Sequence, residues 1–415
     1  MRIKIKNILI GIIYYVCVML FLIDELHMPS TLKYVPDVLL ICVFLYTVFK
    51  YKSIKTKPVN RGISILFIAF LLYSFVSSLV GMVGFKLFVW AFRCTFRFYV
   101  FYYLCIRYLQ ISDVEKVFLN LEKLYLVNMI VLLYQFFVKG LRLDFLGGLF
   151  GSTYGCNGYL NVFLIIMLIY VVNQYFHKKA TIGKLGFYLV SSLTIVGMAE
   201  IKFFYIEVVA VILIALVVNK PTVKTISFAI IAAIGLIIGL EVLRRVFPDS
   251  YLLLFDQDSI NNYLAAGWAH GKQIGRTTAI GFINDNFFNN QFIKKIFGLG
   301  FGNCEFSNFF ESDFARMYKY TNYRNYTFAM QYLETGMVGL VLYVSFFISI
   351  FMYALGKKYD DEKLIWVTYV KILIPLVLML IWYSDACKSE PAYLIFFALA
   401  VFGVVSNSCK NDVKE

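Results

Sequence analysis

Two arginines four residues apart, Arg93 and Arg97, stand inside an apolar and aromatic stretch, 88–106. On a helix that spacing puts both guanidinium groups on one face. Placing one Arg in mid-bilayer costs roughly 2.5–3.5 kcal/mol on insertion scales, so the pair needs company: an anion in a cavity, a buried carboxylate such as Glu207, or escape to the headgroups by snorkelling. Two cations exceed what one carboxylate neutralises, which points to a bound anion. Further cations of suitable type follow at Lys202, in Glu200-Ile201-Lys202, at Arg276 and at Arg324. Three alternating glycines, Gly298, Gly300 and Gly302, suit a tight reversal with backbone N–H groups available to an anion. Glu334 supplies a carboxylate for proton transfer, or else a helix N-terminal charge favoured by the dipole. Guanidinium forks grip phosphate oxygens bidentately, so the expected chemistry is that of a phosphate-bearing substrate.

The solvent around these residues follows from composition. The chain has 415 residues, 61% of them hydrophobic and 15% charged, with a mean hydropathy of +0.75. Soluble domains are nearer half apolar and a quarter charged, so the chain belongs in a bilayer. Its net charge of +14 does not signal nucleic acid, because the Lys and Arg residues cluster between apolar runs, as topology signals do. Eight cysteines are scattered without metal-ligand spacing, and neither a metal nor another cofactor is expected. Cys156, Cys304 and Cys387 are the ones expected to face outward, an odd number that argues against a disulfide framework. The basic start resembles a signal peptide, but Asp24-Glu25-Leu26-His27 replaces a small-residue cleavage site, so the first span stays as a helix.

Counting runs of about 17–25 apolar residues gives an all-α polytopic membrane protein with about twelve transmembrane helices. They fall at 7–23, 34–49, 63–84, 88–106, 121–138, 158–176, 185–199, 203–218, 224–241, 328–355, 364–383 and 391–407. Cations crowd the loops on one side, at Lys4, Lys50, Lys55, Arg61, Arg107, Lys123, Lys178, Lys184, Lys220 and Lys357 among others. The short loops of the other side carry only Lys33, Lys86, Lys139, Arg142, Lys202 and Lys388. The positive-inside rule puts both termini in the cytoplasm and the long polar interval 242–327 outside. The chain thus reads as helices 1–9 over 1–241, an external loop over 242–327, and helices 10–12 with a tail over 328–415. Within the loop, Ile280, Ile283 and Phe287 repeat at helical spacing between Arg276 and Lys294-Lys295, as one amphipathic helix lying over the bundle. Lys371, alone in the eleventh span, reads as a structural partner of a neighbouring carboxylate or carbonyl.

The order of features resembles the O-antigen polymerases (Wzy-type) and the related O-antigen ligases of bacterial envelopes. The resemblance covers the architecture of the chain, and in the loop it rests on Arg276, Gly298, Gly300, Gly302, then Tyr332-Leu333-Glu334-Thr335-Gly336 and Gly339-Leu340. It implies a metal-independent glycosyltransferase of the bacterial cytoplasmic membrane that joins polyprenyl-pyrophosphate-linked oligosaccharide units on the outer face. Partners so implied are membrane lipid and, in the same pathway, a flippase and a chain-length regulator. It casts Arg276 and Glu334 as catalytic, and Arg93, Arg97, Lys202, Arg276, Gly300, Gly302 and Arg324 as contacts to the lipid pyrophosphate and sugar. Ligases of this kind carry a His about nine residues before the matched Glu, where this chain has Asn325, which favours polymerase over ligase. His270 is misplaced for that role. A flippase or transporter is the competing class, since buried arginines also serve as substrate ligands there.

Overall fold

The computed structural model describes residues 4–51, 61–219, 223–253, 255–266, 273–307, 310–356 and 359–411. His270 and several of the topology-setting cations (Lys52, Lys55, Lys57, Lys220, Lys357, Lys358 and Lys414) lie outside them. Among the described residues the chain is helical throughout, the sole β feature being an isolated bridge between Phe306 and Glu311. Nine helices precede the long polar interval: α1 (Ile5–Asp24), α2 (Val35–Tyr51), α3 (Arg61–Val80), α4 (Phe85–Tyr108), α5 (Ile111–Phe137), α6 (Cys156–Phe176), α7 (Ile182–Met198), α8 (Lys202–Val218) and α9 (Val223–Val246). Five short helices follow: α10 (Pro248–Leu253), α11 (Gln257–Ala266), α12 (Ala279–Asn286), α13 (Phe292–Phe297) and α14 (Asp313–Tyr318). The chain closes with α15 (Thr327–Leu355), α16 (Asp361–Tyr383) and α17 (Ala392–Asn411).

Each apolar interval read from the sequence coincides with a helix. Eight of them (α1, α2, α3, α5, α6, α9, α15 and α16) are long and apolar enough to cross a membrane, while α7 and the Ala392–Ser408 part of α17 are apolar but shorter. Arg93 and Arg97 interrupt the apolar run of α4, and α8 has only 17 residues. The ninth helix runs past the expected end near residue 241, because Glu241 accepts from Arg244 and Arg245 at 2.8 and 2.7 Å and so carries the helix into its polar flank.

Side-chain bonds mark the two ends of the bundle. At one end Lys6 meets Asp113 at 2.7 Å and Tyr359 meets Ser406 at 3.1 Å. At the other, Asp24 accepts from Ser152 N at 3.0 Å and Glu25 pairs with Lys139. Between them the helices lock through aromatic rings: Tyr99 lies 4.8 Å from Phe346 and 5.1 Å from Phe396, and Phe70 lies 5.4 Å from Phe96. Such edge-to-face and tilted pairs add specific packing where lipid gives no hydrophobic drive for helices to associate.

Two expected elements take a different form. The single amphipathic helix expected from Arg276 to Lys295 is split into α12 and α13, because Asn289 and Asn290 turn left-handed (φ 49° and 56°) between them. The tenth span is interrupted at Gly336, with φ 64° and ψ −168°. The glycine ladder explains the break: Leu299 N donates to Leu333 O at 2.8 Å and Gly300 N to Glu334 O at 3.0 Å, taking carbonyls that a continuous helix would satisfy itself. Ser77 Oγ on α3 donates to Glu334 O at 3.0 Å and to Phe297 O at 2.8 Å, tying ladder and kink to the bundle.

Candidate functional site

At the end of the bundle that carries the long interval lies a cavity of about 520 Å³. The α1–α2 connection gives it Lys33 and Tyr34, and α4 gives Trp90, Arg93, Cys94 and Arg97. The stretch after the glycine ladder gives Glu305 and Phe306, and the approach to α15 gives Lys319, Asn322, Arg324 and Asn325. Its remaining wall is Tyr159 and Met330, with Asp385, Lys388, Ser389 and Glu390 from the α16–α17 connection. Six cations and three carboxylates therefore share the wall with aromatic faces.

Asp37, near the start of α2, holds the two arginines of α4. Arg93 Nε lies 2.8 Å from Asp37 Oδ2 and its Nη2 closes a second bond to the same oxygen. Arg97 Nη1 reaches Oδ1 at 2.9 Å, and the Tyr393 hydroxyl donates to Oδ1 at 2.7 Å. Arg93 is also clasped between the rings of Tyr34 and Trp90, its guanidinium carbon 4.8 and 4.6 Å from their centroids. One carboxylate against two guanidiniums leaves an excess positive charge at the cavity wall, on groups whose rotamers are fixed by stacking. The sequence alternatives did not include this partner; Glu207, the carboxylate they offered, is instead bonded to Asn161 Nδ2 at 3.3 Å.

A second buried charge group stands behind the opposite side chains. Lys388 lies 3.3 Å from Glu305 Oε1 and 3.4 Å from Glu334 Oε2, while Glu334 Oε1 accepts from Gly302 N at 3.1 Å. Burial opposes the charge on Lys388, but the two carboxylates outweigh it and hold its pKa above the usual lysine value. Glu334 is wholly buried and does not line the cavity. It joins the ladder, the kink of α15 and the α16–α17 connection, so its position is that of a brace and not of a group in reach of a ligand. The same holds for the ladder: the amides of Gly300 and Gly302 donate to Glu334, and neither residue lines the cavity. Gly302 N serves the Glu334 carboxylate and Gly300 N its backbone carbonyl, so both acceptors belong to the chain itself.

Arg93, Arg97 and Arg324 are thus brought to one cavity, whereas Arg276 and Lys202 are placed elsewhere. Arg276 Nε donates to Tyr383 O at 3.1 Å, and its guanidinium carbon lies 4.0 and 4.8 Å from the ring centroids of Tyr383 and Tyr326. The Tyr383 ring also stacks on Phe203, at 3.8 Å and 3°. Lys202, next to Phe203, is buried and pairs with Glu200 at 3.0 Å. Arg276 therefore covers the Tyr383–Phe203 stack at the end of α16, and Lys202 precedes Phe203 in the chain. Neither lines the cavity.

Asp37, Trp90, Asp385, Lys388 and Glu390 escaped the sequence reading. Asp37 carried a signal, being a carboxylate within an apolar span that also had to hold two buried cations. The run Ser384-Asp385-Ala386-Cys387-Lys388-Ser389-Glu390 is a dense polar turn between two apolar spans, but such turns are often polar for no chemical reason. Among the described residues no group of three or more His, Cys, Asp or Glu side chains is placed to hold a metal ion. No protein-family model matches the chain, and no curated protein matches it.

Proposed function

We propose that this protein is a polysaccharide polymerase of the bacterial cytoplasmic membrane, joining polyprenyl-pyrophosphate-linked oligosaccharide units on the outer face. The product is an O-antigen, capsule or exopolysaccharide chain. The observation that carries this reading is a cavity that combines Arg93, Arg97 and Arg324 with aromatic faces and carboxylates. Arginine forks suit the pyrophosphate, and a guanidinium about 4 Å from a phosphate oxygen contributes roughly 4 kcal/mol at an effective dielectric near 20. They also offset charge that builds on the leaving group as the glycosidic bond breaks. Trp90, Tyr34 and Phe306 offer faces for sugar rings. Loop cations support the orientation, with twelve spans, both termini in the cytoplasm and the cavity outside. No nucleotide sugar is available there, so the donor arrives activated on lipid.

Two other readings use the same cavity. Asn325, at the position that a histidine holds in the ligases the chain resembles, lines the wall, which favours polymerase over ligase. A transporter or flippase is favoured by the interruption of α15 beside a cation-rich cavity. The deciding experiment places purified protein in liposomes with lipid-linked oligosaccharide extracted from cells lacking it, with chelator and no nucleotide. A ladder of lengthened lipid-linked chains is the expected product. Movement of the lipid-linked unit between leaflets without lengthening would sink the polymerase reading.

A further inference from the structure

Three carboxylates line the cavity, and two already have partners. Glu305 is held by Lys388 at 3.3 Å, and Glu390 Oε2 accepts the Tyr159 hydroxyl at 3.4 Å. Asp385 has no ion pair and no side-chain partner among the described residues. Its backbone, by contrast, is fixed. Lys388 N and Ser389 N donate to Asp385 O at 2.8 and 3.1 Å, and the preceding carbonyl, Ser384 O, accepts both N and Oγ1 of Thr327 at 2.9 Å. A carboxylate with unused acceptor capacity is thus pinned to the start of α15, on the wall it shares with Arg93, Arg97 and Arg324.

We propose that Asp385 is the general base of the transfer, an assignment that rests on the polymerase reading. Its carboxylate takes the proton of the acceptor sugar's hydroxyl while that oxygen bonds to the anomeric carbon of the donor. The bond that breaks joins the anomeric carbon to the pyrophosphate oxygen, which leaves with the electron pair and meets the arginine guanidiniums. The proton on Asp385 then returns to water, and no other reactant is needed. This places the base in the α16–α17 connection, outside both the long interval that holds the glycine ladder and the α15 segment that holds Glu334.

The electrostatics suit the role. Burial pushes the Asp385 carboxyl up to about 6, Glu390 beside it acts in the same direction, and Arg324 and Lys388 act against it. Lys33, Arg93, Arg97, Lys319 and Glu305 face the same cavity. At pH 7 the group is mostly ionised yet basic enough to accept a proton; as pH falls through about 6 it becomes protonated and the reaction stops.

The test measures chain elongation in liposomes, using lipid-linked oligosaccharide extracted from cells lacking the protein, and separately the binding of undecaprenyl pyrophosphate by tryptophan fluorescence. Asp385→Asn should lower kcat at least about 100-fold with binding nearly unchanged, the usual scale for losing a general base. Asp385→Glu should recover part of the rate, and wild type should show an acid limb near pH 6 that the residual activity of Asp385→Asn lacks. Asp385→Asn elongating at the wild-type rate, with Arg97→Ala inactive, would overturn the assignment and leave the polymerase reading standing. Wild type lacking the acid limb would also overturn it, even if Asp385→Asn failed to fold. Wild type that neither binds undecaprenyl pyrophosphate nor elongates chains would overturn both.

Discussion

Arg97 Nη1 lies 2.9 Å from Asp37 Oδ1 and 3.0 Å from Oδ2, across 60 residues of chain. Arg93 shares the same carboxylate, so one side chain of α2 sets the position of both cations of α4. Asp37→Asn leaves two guanidiniums, the buried Arg97 and the half-buried Arg93, without their counter-charge, whereas Arg93→Gln leaves one pair intact. Breaking a buried pair costs about 3–5 kcal/mol. Thermal unfolding in detergent should therefore show a clearly larger fall in midpoint for Asp37→Asn than for Arg93→Gln. Equal midpoints would mean that Asp37 is not the common anchor.

The separation of Arg276 from Arg97 and Arg324 predicts two kinds of failure. Arg97→Ala and Arg324→Ala should each weaken undecaprenyl pyrophosphate binding by at least about tenfold and abolish polymer, with Lys rescuing only in part because the bidentate fork is lost. Arg276→Ala should abolish polymer while binding persists, since Arg276 stacks on Tyr383 and Tyr326 and does not line the cavity. Loss of binding in Arg276→Ala equal to that in Arg97→Ala would place Arg276 on the pyrophosphate itself.

Gly302 has φ 102°, and a Cβ there would stand 2.9 Å from Leu87 O. Alanine at this site meets both a backbone penalty of about 1–2 kcal/mol and crowding of about 1–3 kcal/mol. Gly140 has φ 69° but open space around it, so Gly140→Ala meets the backbone penalty alone. The thermal midpoint of Gly302→Ala should fall well below that of Gly140→Ala, and protein abundance should follow the same order.

Cysteine labelling in intact cells tests which end faces outward. Single cysteines at Lys33, Tyr154, Asn262 and Ser307 should react with a membrane-impermeant maleimide, and those at Lys55, Lys123, Lys178 and Lys357 should react only after permeabilisation. The expectation follows from the cation bias of the short loops. Labelling of Ser307 only from inside would remove the cavity from the face where a lipid-linked donor is presented.

Deletion of the gene separates polymerase from ligase. Loss of a polymerase leaves single repeat units still passed to the surface acceptor, seen on a gel as one short band in place of a ladder. Loss of a ligase strands long chains on polyprenyl pyrophosphate. The first pattern is expected because Asn325 stands on the cavity wall where the ligases have histidine. Long chains accumulating on the carrier would assign the ligase activity despite that residue.

Local information was enough to read the bundle. Apolar run length locates the long helices, because a bilayer helix must satisfy its backbone internally over a fixed thickness, and this constraint acts on consecutive residues. The four-residue spacing of Arg93 and Arg97 likewise fixes a shared face whatever surrounds it. What consecutive residues cannot encode is which helices meet. Asp37 became the arginines' partner through the packing of α2 on α4, and Lys388 gathers Glu305 and Glu334 from 83 and 54 residues away. The sequence showed three glycines and a glutamate as features able to contact a ligand; folding turned them on one another, since the carbonyls released at Gly336 and the carboxylate of Glu334 needed the ladder's N–H groups. Asp385 carried no local pattern at all. Only the closure of α15, α16 and α17 around one cavity placed its carboxylate beside Arg324, with no side-chain hydrogen bond among the described residues.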